Sequence, residues 1–152
     1  MTTVRDATTG DVEDLIRIRI VMLDGVGHPP ADLDWVPAAT RELARQLAAG
    51  SMLGALAEVD GRVVSGAMAR LFQQLPGDGG DDVSRAWIFS VATEPAYRRQ
   101  GLARAVVTHL VQRLDALGVV RSELTATTDG EPMYRALGFT DSANPLLRRR
   151  RP

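Results

Sequence analysis

The chain has 152 residues, of which 45% are hydrophobic and 24% are charged, and its formal net charge is −1. This length and composition are typical of one globular domain that buries its own core, and the near-neutral charge argues against general affinity for nucleic acid. No Cys, no Lys and only two His are present, which excludes a disulfide framework, thiol or Schiff-base catalysis and a thiolate metal site.

The first part of the chain predicts a strand followed by a helix. Residues 2–7 predict an edge strand, and the spacing Thr8-x-x-Asp11 is a capping box that opens a helix. Gly25 and Gly27 end this helix. Its apolar side chains recur at helical spacing: Val12, Leu15, Ile16, Ile20 and Leu23.

A loop and a second helix are expected next. The composition of residues 24–37, rich in Gly, Pro and Asp, predicts the loop. An Ala-rich helix is expected over residues 38–49, and Gly50 closes it. The loop carries His28, Asp32, Asp34 and Trp35.

The middle of the chain predicts a hairpin and a long strand. Residues 52–59 and 62–71 have strand composition, and Asp60-Gly61 between them indicates a type I′ turn. A flexible, Gly-rich connection is expected over residues 73–82, and an interior strand over residues 84–93.

The last third predicts two further helices, each ended by a glycine. The expected elements are a helix over 102–117, a strand over 122–127, a short helix over 131–137 and an extended segment from Phe139. The order β-α-α-β-β-β-α-β-α-β predicts an α+β (mixed α/β) domain with one sheet. We expect this domain over residues 1–147 and a solvated basic tail over residues 148–152.

The segment from Val91 to Arg104 carries the strongest chemical signal. Pro95 stops the strand, and a helix opens at Gly101 after an Arg-rich turn. Free backbone N–H groups at a helix start attract anions, and Arg98, Arg99 and Arg104 add charge there. The pattern predicts a diphosphate cradle that is neither a Walker loop nor a Rossmann fingerprint, although small residues there can also serve close packing.

Two motifs in this order carry a resemblance to a known family. Arg98-Arg-Gln-Gly-Leu-Ala103 is similar to the R/Q-x-x-G-x-G/A signature of the GNAT acyltransferase superfamily, which binds the pyrophosphate of acetyl-coenzyme A. Tyr134-Arg-Ala-Leu-Gly-Phe139 resembles that family's Y-x-x-x-G-F element. The resemblance covers about residues 3–140 and implies a mixed, mostly antiparallel sheet flanked by about four helices. It implies transfer of acetyl from acetyl-CoA, with no metal, to a primary amine of a small molecule or peptide in a ternary complex.

The resemblance also implies roles for single residues. The main chain of Val91, Ala92 and Thr93 is expected to pair with the pantetheine arm, with an N–H near Val91 polarising the thioester carbonyl. Tyr134 is expected to protonate the leaving thiolate, the alternative being a tyrosine that only packs beside Leu137 and Phe139. The residues implied to bind the diphosphate are Arg98, Arg99, Gln100, Gly101, Leu102, Ala103 and Arg104.

The base and the acceptor contacts stay open at this stage. Relatives often carry an Asn where this chain reads Thr127-Thr128-Asp129, which leaves one contact to the coenzyme unassigned. Glu94 is expected at the surface, capping the turn, and His109 is interpreted as structural. The candidates for acceptor binding or base catalysis are His28, Asp32, Asp34, Trp35 and Glu58, each of which also has a reading as a loop or strand-end residue.

Two other functions remain alternatives to an enzyme. The first is a catalytically weak module of the same fold that binds or senses acyl-CoA or contacts another protein. The second, less favoured, is nucleic-acid association through Arg148–Arg151. The first residues lack the apolar stretch of a signal peptide, so we expect a cytoplasmic protein with no membrane or nucleic-acid partner. The segment after Phe139 is short, so the last strand is expected to be either truncated or completed by a partner subunit. The resemblance also implies a homodimer as one expectation, because dimers are common in the family.

Overall fold

The centre of the fold is one five-stranded sheet whose strands lie in chain order. The computed structural model describes residues 1–78, 80 and 83–152. The first four strands pair antiparallel, and the fifth runs parallel to the fourth. This mixed sheet confirms the predicted fold class. The strands are β1 (Thr2–Asp6), β2 (Met52–Val59), β3 (Arg62–Gln73), β4 (Ser84–Thr93) and β5 (Arg121–Glu123).

Helices cover both faces of this sheet. Successive side chains of a strand point to opposite faces, and β3 shows this because Val63 belongs to one core cluster and Val64 to the other. The helices are α1 (Val12–Gly25), α2 (Val36–Ala49), α3 (Leu102–Ala116) and α4 (Glu131–Ala136). Helices α1 and α2 pack into one cluster, and α3 packs into the other together with Tyr134.

The local signals for turns and helix ends are confirmed where backbone chemistry dictates them. Asp60 and Gly61 have φ of 50° and 80°, as the hairpin turn requires. Thr8 and Asp11 form the capping box, which opens a short 3-10 turn that leads into α1. Gly50 adopts the left-handed conformation at the end of α2.

The predictions were wrong near the end of the chain. β5 has three residues rather than six, and residues 124–127 leave the sheet. β5 pairs only with Arg85–Trp87, because the register of β4 shifts further along that strand and the two chains separate. The strand expected from Phe139 does not form, since among the described residues no strand runs along the outer edge of β5.

Smaller differences concern burial and boundaries. In α1 the fully buried side chains are Leu15 and Ile18, each at 1% exposure, while Ile20 and Leu23 are only partly buried. β3 continues to Gln73, so the expected connection over residues 73–82 is shorter than predicted. Positions 79, 81 and 82 of that connection lie outside the described residues.

Within residues 1–78, 80 and 83–152, no helix combines the length and the apolar character needed to cross a bilayer. The same residues contain no group of three or more His, Asp or Glu placed to hold a metal ion.

An ion cluster ties the start of the chain to the hairpin. Asp11 accepts two hydrogen bonds from Arg5, at 2.8 and 2.9 Å, and one from the backbone N–H of Thr8 at 2.7 Å. Arg5 also donates to Glu58 of β2, at 2.8 and 2.5 Å. The Arg5 guanidinium holds the pKa of Asp11 well below its usual range, so this carboxylate stabilises the fold when charged.

We expect Asp11→Asn to destabilise the protein by about 2 kcal/mol at pH 7, because it weakens the cap and leaves the partly buried Arg5 with one acid fewer. A depressed carboxyl pKa adds stability above its unfolded value of about 4, and this is lost as pH falls below it. Urea unfolding of the wild type from pH 7 to pH 2 should therefore show a fall below pH 4 that is smaller in Asp11→Asn. Glu42→Gln, in an exposed pair with Arg45, is the control and should change little. Parallel pH profiles for wild type and Asp11→Asn would contradict this.

Candidate active site

A cleft of about 880 Å³ opens along the free edge of β4. Its floor is residues 87–93 of β4. The last turns of α1 line one side, and the first turn of α3 lines another. Residues 124–127, which leave the sheet after β5, form the opposite wall together with Tyr134. The cleft therefore occupies the space where β4 and the chain after β5 separate.

The edge of β4 that faces this cleft has free main-chain groups. β5 covers β4 only at Arg85–Trp87, so the remainder of that edge has no strand partner within the described part of the chain. Ser90 and Val91 both stand opposite Ala67 of β3, which makes a β-bulge. Ser90 has φ of 53° and is 4% exposed. This bulge was not predictable from the sequence, because a serine in a strand gives no sign of a left-handed conformation.

The start of α3 carries the features of an anion site. Gly101 precedes the helix with φ of 76°, and no side chain caps the first N–H groups. A Cβ at Gly101 would meet no atom within 4 Å, so the space beside this residue is open. Arg99 and Arg104 line the cleft and are exposed, and they add positive charge there. These residues fit a diphosphate, which needs several N–H donors and cations at one point.

Two residues of the turn before α3 serve the fold. Arg98 lines the cleft, but its Nε donates to the Thr93 carbonyl at 3.1 Å, so part of its hydrogen-bonding capacity is used by the end of β4. Glu94 was expected at the surface and is instead 8% exposed. It pairs with Arg17 of α1 and with Arg62 of β3, the latter at 2.9 Å. A carboxylate can be buried there because two guanidinium groups compensate its charge.

Tyr134 lies in the wall of the cleft with its ring buried. Its exposure is 8%, and its ring meets the edge of Phe139 with centroids 5.9 Å apart. Burial raises the pKa of the phenol above its usual value, so the hydroxyl keeps its proton at neutral pH. The hydroxyl makes no hydrogen bond to any described residue. Tyr134 therefore packs beside Phe139 and also offers a free proton donor to the cleft.

A second groove, of about 780 Å³, meets the first at Tyr134. Its walls are β5 and residues 139–146, and Trp87 and residues 124–126 are common to both spaces. Arg135 pairs with Glu131 at 2.7 Å and with Asp141 at 2.6 Å, which fixes the C-terminal segment on α4. Glu123 lines the same groove and has no ion pair within the described residues. Glu123 is not among the residues that the sequence predicted for the site. Its position directly before Leu124 nevertheless places it at the end of β5, where the chain separates from β4.

The predicted acceptor residues do not line either space. His28 Nδ1 lies 3.0 Å from the Val26 carbonyl, and Asp32 accepts from the backbone N–H of Asp34 at 3.0 Å, both of which are loop interactions. Trp35 precedes α2 and is half-buried. Glu58 is paired with Arg5 at the other side of the sheet.

The remaining residues indicated by the sequence lie partly inside and partly outside the cleft lining. Gln100 and Thr128 are not part of the cleft lining, whereas Asp129 and Thr127 are. The Thr127 side chain accepts from the backbone N–H of Gly130 at 3.1 Å, so it orders the entry to α4. His109 lies on α3 with Nε2 2.6 Å from Asp6 of β1, which agrees with its structural interpretation.

Comparison with known proteins gives one family. The model of the acetyltransferase (GNAT) family matches residues 24–139. A stretch of 63 residues is 33% identical to [ribosomal protein bS18]-alanine N-acetyltransferase of Escherichia coli (strain K12). It covers 40% of this chain and 43% of that protein, so the match spans less than half the length of these curated relatives.

Solved structures share the whole architecture. The crystal structure of a predicted acetyltransferase with acetyl-CoA from Clostridium acetobutylicum is 25% identical, with a TM-score of 0.87. The superposition covers 98% of this chain and 96% of that chain. A GCN5-related N-acetyltransferase from Ralstonia eutropha, 22% identical over 97% of this chain and 98% of that one, has the same fold with a TM-score of 0.79.

The environment of Tyr134 predicts a measurable ionisation. The chain contains two tyrosines, Tyr97 and Tyr134, so the difference in absorbance at 295 nm between wild type and Tyr134→Phe reports the second alone. We expect its midpoint above pH 10, because burial disfavours the phenolate. A midpoint at or below pH 10 in the folded protein, with circular dichroism as the check on folding, would contradict the buried environment.

Proposed function

The chain belongs to the GNAT acetyltransferase family, and we propose that it transfers the acetyl group of acetyl-CoA to a primary amine of a small molecule or peptide. The observation that carries this proposal is the convergence of three features on one cleft. They are the open edge of β4, the uncapped N-terminus of α3 and the free hydroxyl of Tyr134.

Coenzyme binding is assigned to two main-chain surfaces. The N–H groups of Leu102, Ala103 and Arg104 at the start of α3 hold the diphosphate, and the side chains of Arg99 and Arg104 neutralise its charge. The free edge of β4 from Ile88 to Ala92 pairs with the pantetheine arm as an added strand would. Bound acetyl-CoA supplies an activated acyl group as a thioester.

Tyr134 is proposed as the general acid. The attacking amine forms a C–N bond to the acyl carbon while the C–S bond breaks, and the sulfur leaves as a thiolate that needs a proton. A neutral phenol supplies that proton, and burial keeps Tyr134 neutral at the pH of the reaction. A main-chain N–H of the bulge at Ser90 and Val91 is assigned to stabilise the negative charge that develops on the carbonyl oxygen.

Glu123 is proposed as the group that takes the proton of the amine. Of the carboxylates that line the groove next to Tyr134, Glu131 and Asp141 are held by Arg135. Glu123 has no such partner within the described residues, so it is available to an incoming ammonium group. Glu58 and Glu94 are not assigned this role, because each is paired with arginines outside the groove.

The acceptor is proposed to enter through the groove beside β5. An extended chain fits a groove bounded by a strand edge and a loop segment, which favours the amine of a peptide over a compact small molecule. The matched relatives act on the alanine of a ribosomal protein, which supports a peptide amine for this chain as well.

Gly101→Ala should weaken acetyl-CoA binding about tenfold, because a side chain at this positive-φ position strains the turn that presents the α3 N–H groups. Gly118→Ala at the other end of α3 is a matched control, since Gly118 also has a positive φ and open space around it. Both variants should lose about 1 kcal/mol of stability, and only Gly101→Ala should change the affinity measured by calorimetry. Equal affinities in the two variants would remove α3 from coenzyme binding.

Tyr134→Phe and Glu123→Gln should each lower kcat about 100-fold, because each removes a group that transfers a proton. The dissociation constant of acetyl-CoA should stay within about twofold, since neither side chain is assigned to the diphosphate or the arm. Glu13→Gln, at an exposed position in the first turn of α1, controls for loss of a carboxylate. Thiol release with a panel of peptide amines measures the rates. Coenzyme binding by the wild type without acetylation of any amine would instead favour the binding module.

A further inference from the structure

Ser90 is the strained point of the strand that forms the floor of the cleft. It has φ of 53°, which serine rarely adopts, and it is 4% exposed. Together with Val91 it stands opposite the single residue Ala67, so one peptide unit more is present than β3 can pair. Both residues of the bulge line the cleft. A strained residue of this kind keeps its conformation only where the surroundings hold it.

The group that holds Ser90 comes from α1. Nη1 of Arg19 donates to the Ser90 hydroxyl at 2.7 Å, the one side-chain hydrogen bond of Ser90 in the described structure. The same guanidinium lies over the ring of Phe89, 5.7 Å from its centroid. Arg19 thus contacts two successive residues of β4, from the face of the sheet that α1 covers.

Arg19 differs from the other half-buried arginines of α1 and β1. Arg5 and Arg17 each pair with two carboxylates, whereas Arg19 has none within the described residues. Burial without a compensating anion lowers the pKa of Arg19. A charge kept half-buried without an anion is not explained by stability, since such burial costs free energy. Its polar contact is instead the hydroxyl of the bulge.

We propose that Arg19 is a positioning residue that locks the β4 bulge, so that the main chain of Ser90 and Val91 keeps its orientation toward the acyl group. The proposal rests on the proposed function, because the bulge matters for the reaction only if the thioester lies against it. Arg19 acts through Ser90 and touches no reacting atom.

The test is a double-mutant cycle with Arg19→Met and Ser90→Ala. Methionine keeps an apolar stem over Phe89 and removes the donor, while alanine removes the acceptor. Each single variant should lower kcat about tenfold, since a hydrogen bond from a charged donor is lost. The KM for acetyl-CoA should rise by a smaller factor than kcat falls, because the diphosphate site at the start of α3 is unchanged and only the contact of residues 90–92 with the coenzyme arm is disturbed. The double variant should be no slower than either single variant, because both remove the same bond.

Two further variants separate positioning from a general effect of charge or packing. Arg19→Lys retains a cationic donor but loses the planar group over Phe89, so its kcat should lie between those of the wild type and Arg19→Met. Arg70→Met removes an arginine that lies 5.4 Å from the ring centroid of Phe72 and lines neither the cleft nor the groove. This variant should leave kcat unchanged. The proposal that Arg19 locks the bulge is overturned if the losses of kcat in Arg19→Met and Ser90→Ala multiply in the double variant. It is also overturned if KM rises at constant kcat, or if Arg70→Met is as slow as Arg19→Met.

A readout without turnover distinguishes failure of the lock from failure of the proposed function. In the free protein, the amide ¹H–¹⁵N shifts of residues 90–92 should move in Arg19→Met and in Ser90→Ala and stay in place in Arg70→Met. Unmoved shifts in Arg19→Met overturn the lock whatever the activity. If the shifts move in a protein that acetylates no amine, the role of Arg19 in holding the bulge stands and the proposed acetyltransferase activity is rejected.

Discussion

The separation of β4 from the chain that follows β5 is the constraint on which the site depends. Their parallel pairing stops at Trp87, and beyond it the edge of β4 lacks a strand partner in the described structure. Unpaired main-chain groups inside a fold need another partner. In the proposed function that partner is the coenzyme arm. The same separation brings the N-terminus of α3 and Tyr134 to one cleft, because α3 follows β4 directly and α4 follows β5.

Ion pairs hold this opening in a defined shape. Glu94 fixes the exit of β4 to α1 and β3 through Arg17 and Arg62, just before the turn that leads to α3. Asp11 and Arg5 fix the other end of α1 to β1. Helix α1 is therefore held to the sheet at its start and at Arg17. This fixes the position from which Arg19 contacts Ser90 of β4. A chain without lysine suits such contacts, because the planar guanidinium can serve two partners at once.

The sequence predicted those parts of the fold that local chemistry dictates. The capping box at Thr8 and Asp11, the Asp60-Gly61 turn and the limits of β4 agree with the structure, since each depends on nearby residues alone. The length of β5 was not predictable, because it depends on how far along β4 the parallel pairing can continue. Burial of Glu94 escaped prediction for a similar reason, as the arginines that pair with it come from distant parts of the chain.

Of the two halves proposed for the candidate site, only the coenzyme half is marked by sequence motifs. Gly101, the arginines before it and Tyr134 stand in motifs, and the structure places them along one cleft. The acceptor half has no motif, and the loop residues proposed for it, such as His28 and Asp32, instead interact within their own loop. Glu123 and Arg19 could be recognised only from the residues that surround them in space.

Hydrogen exchange of the full chain with and without saturating acetyl-CoA tests the central claim most directly. The first N–H groups of α3 have no acceptor within the helix, and those along the open edge of β4 have no strand partner, so both sets should exchange quickly in the free protein. We predict that the coenzyme slows exchange at residues 88–93 and 101–104 and leaves the hairpin over residues 52–63 unchanged. Unaltered exchange in those two segments, or protection confined to other parts of the chain, would contradict it.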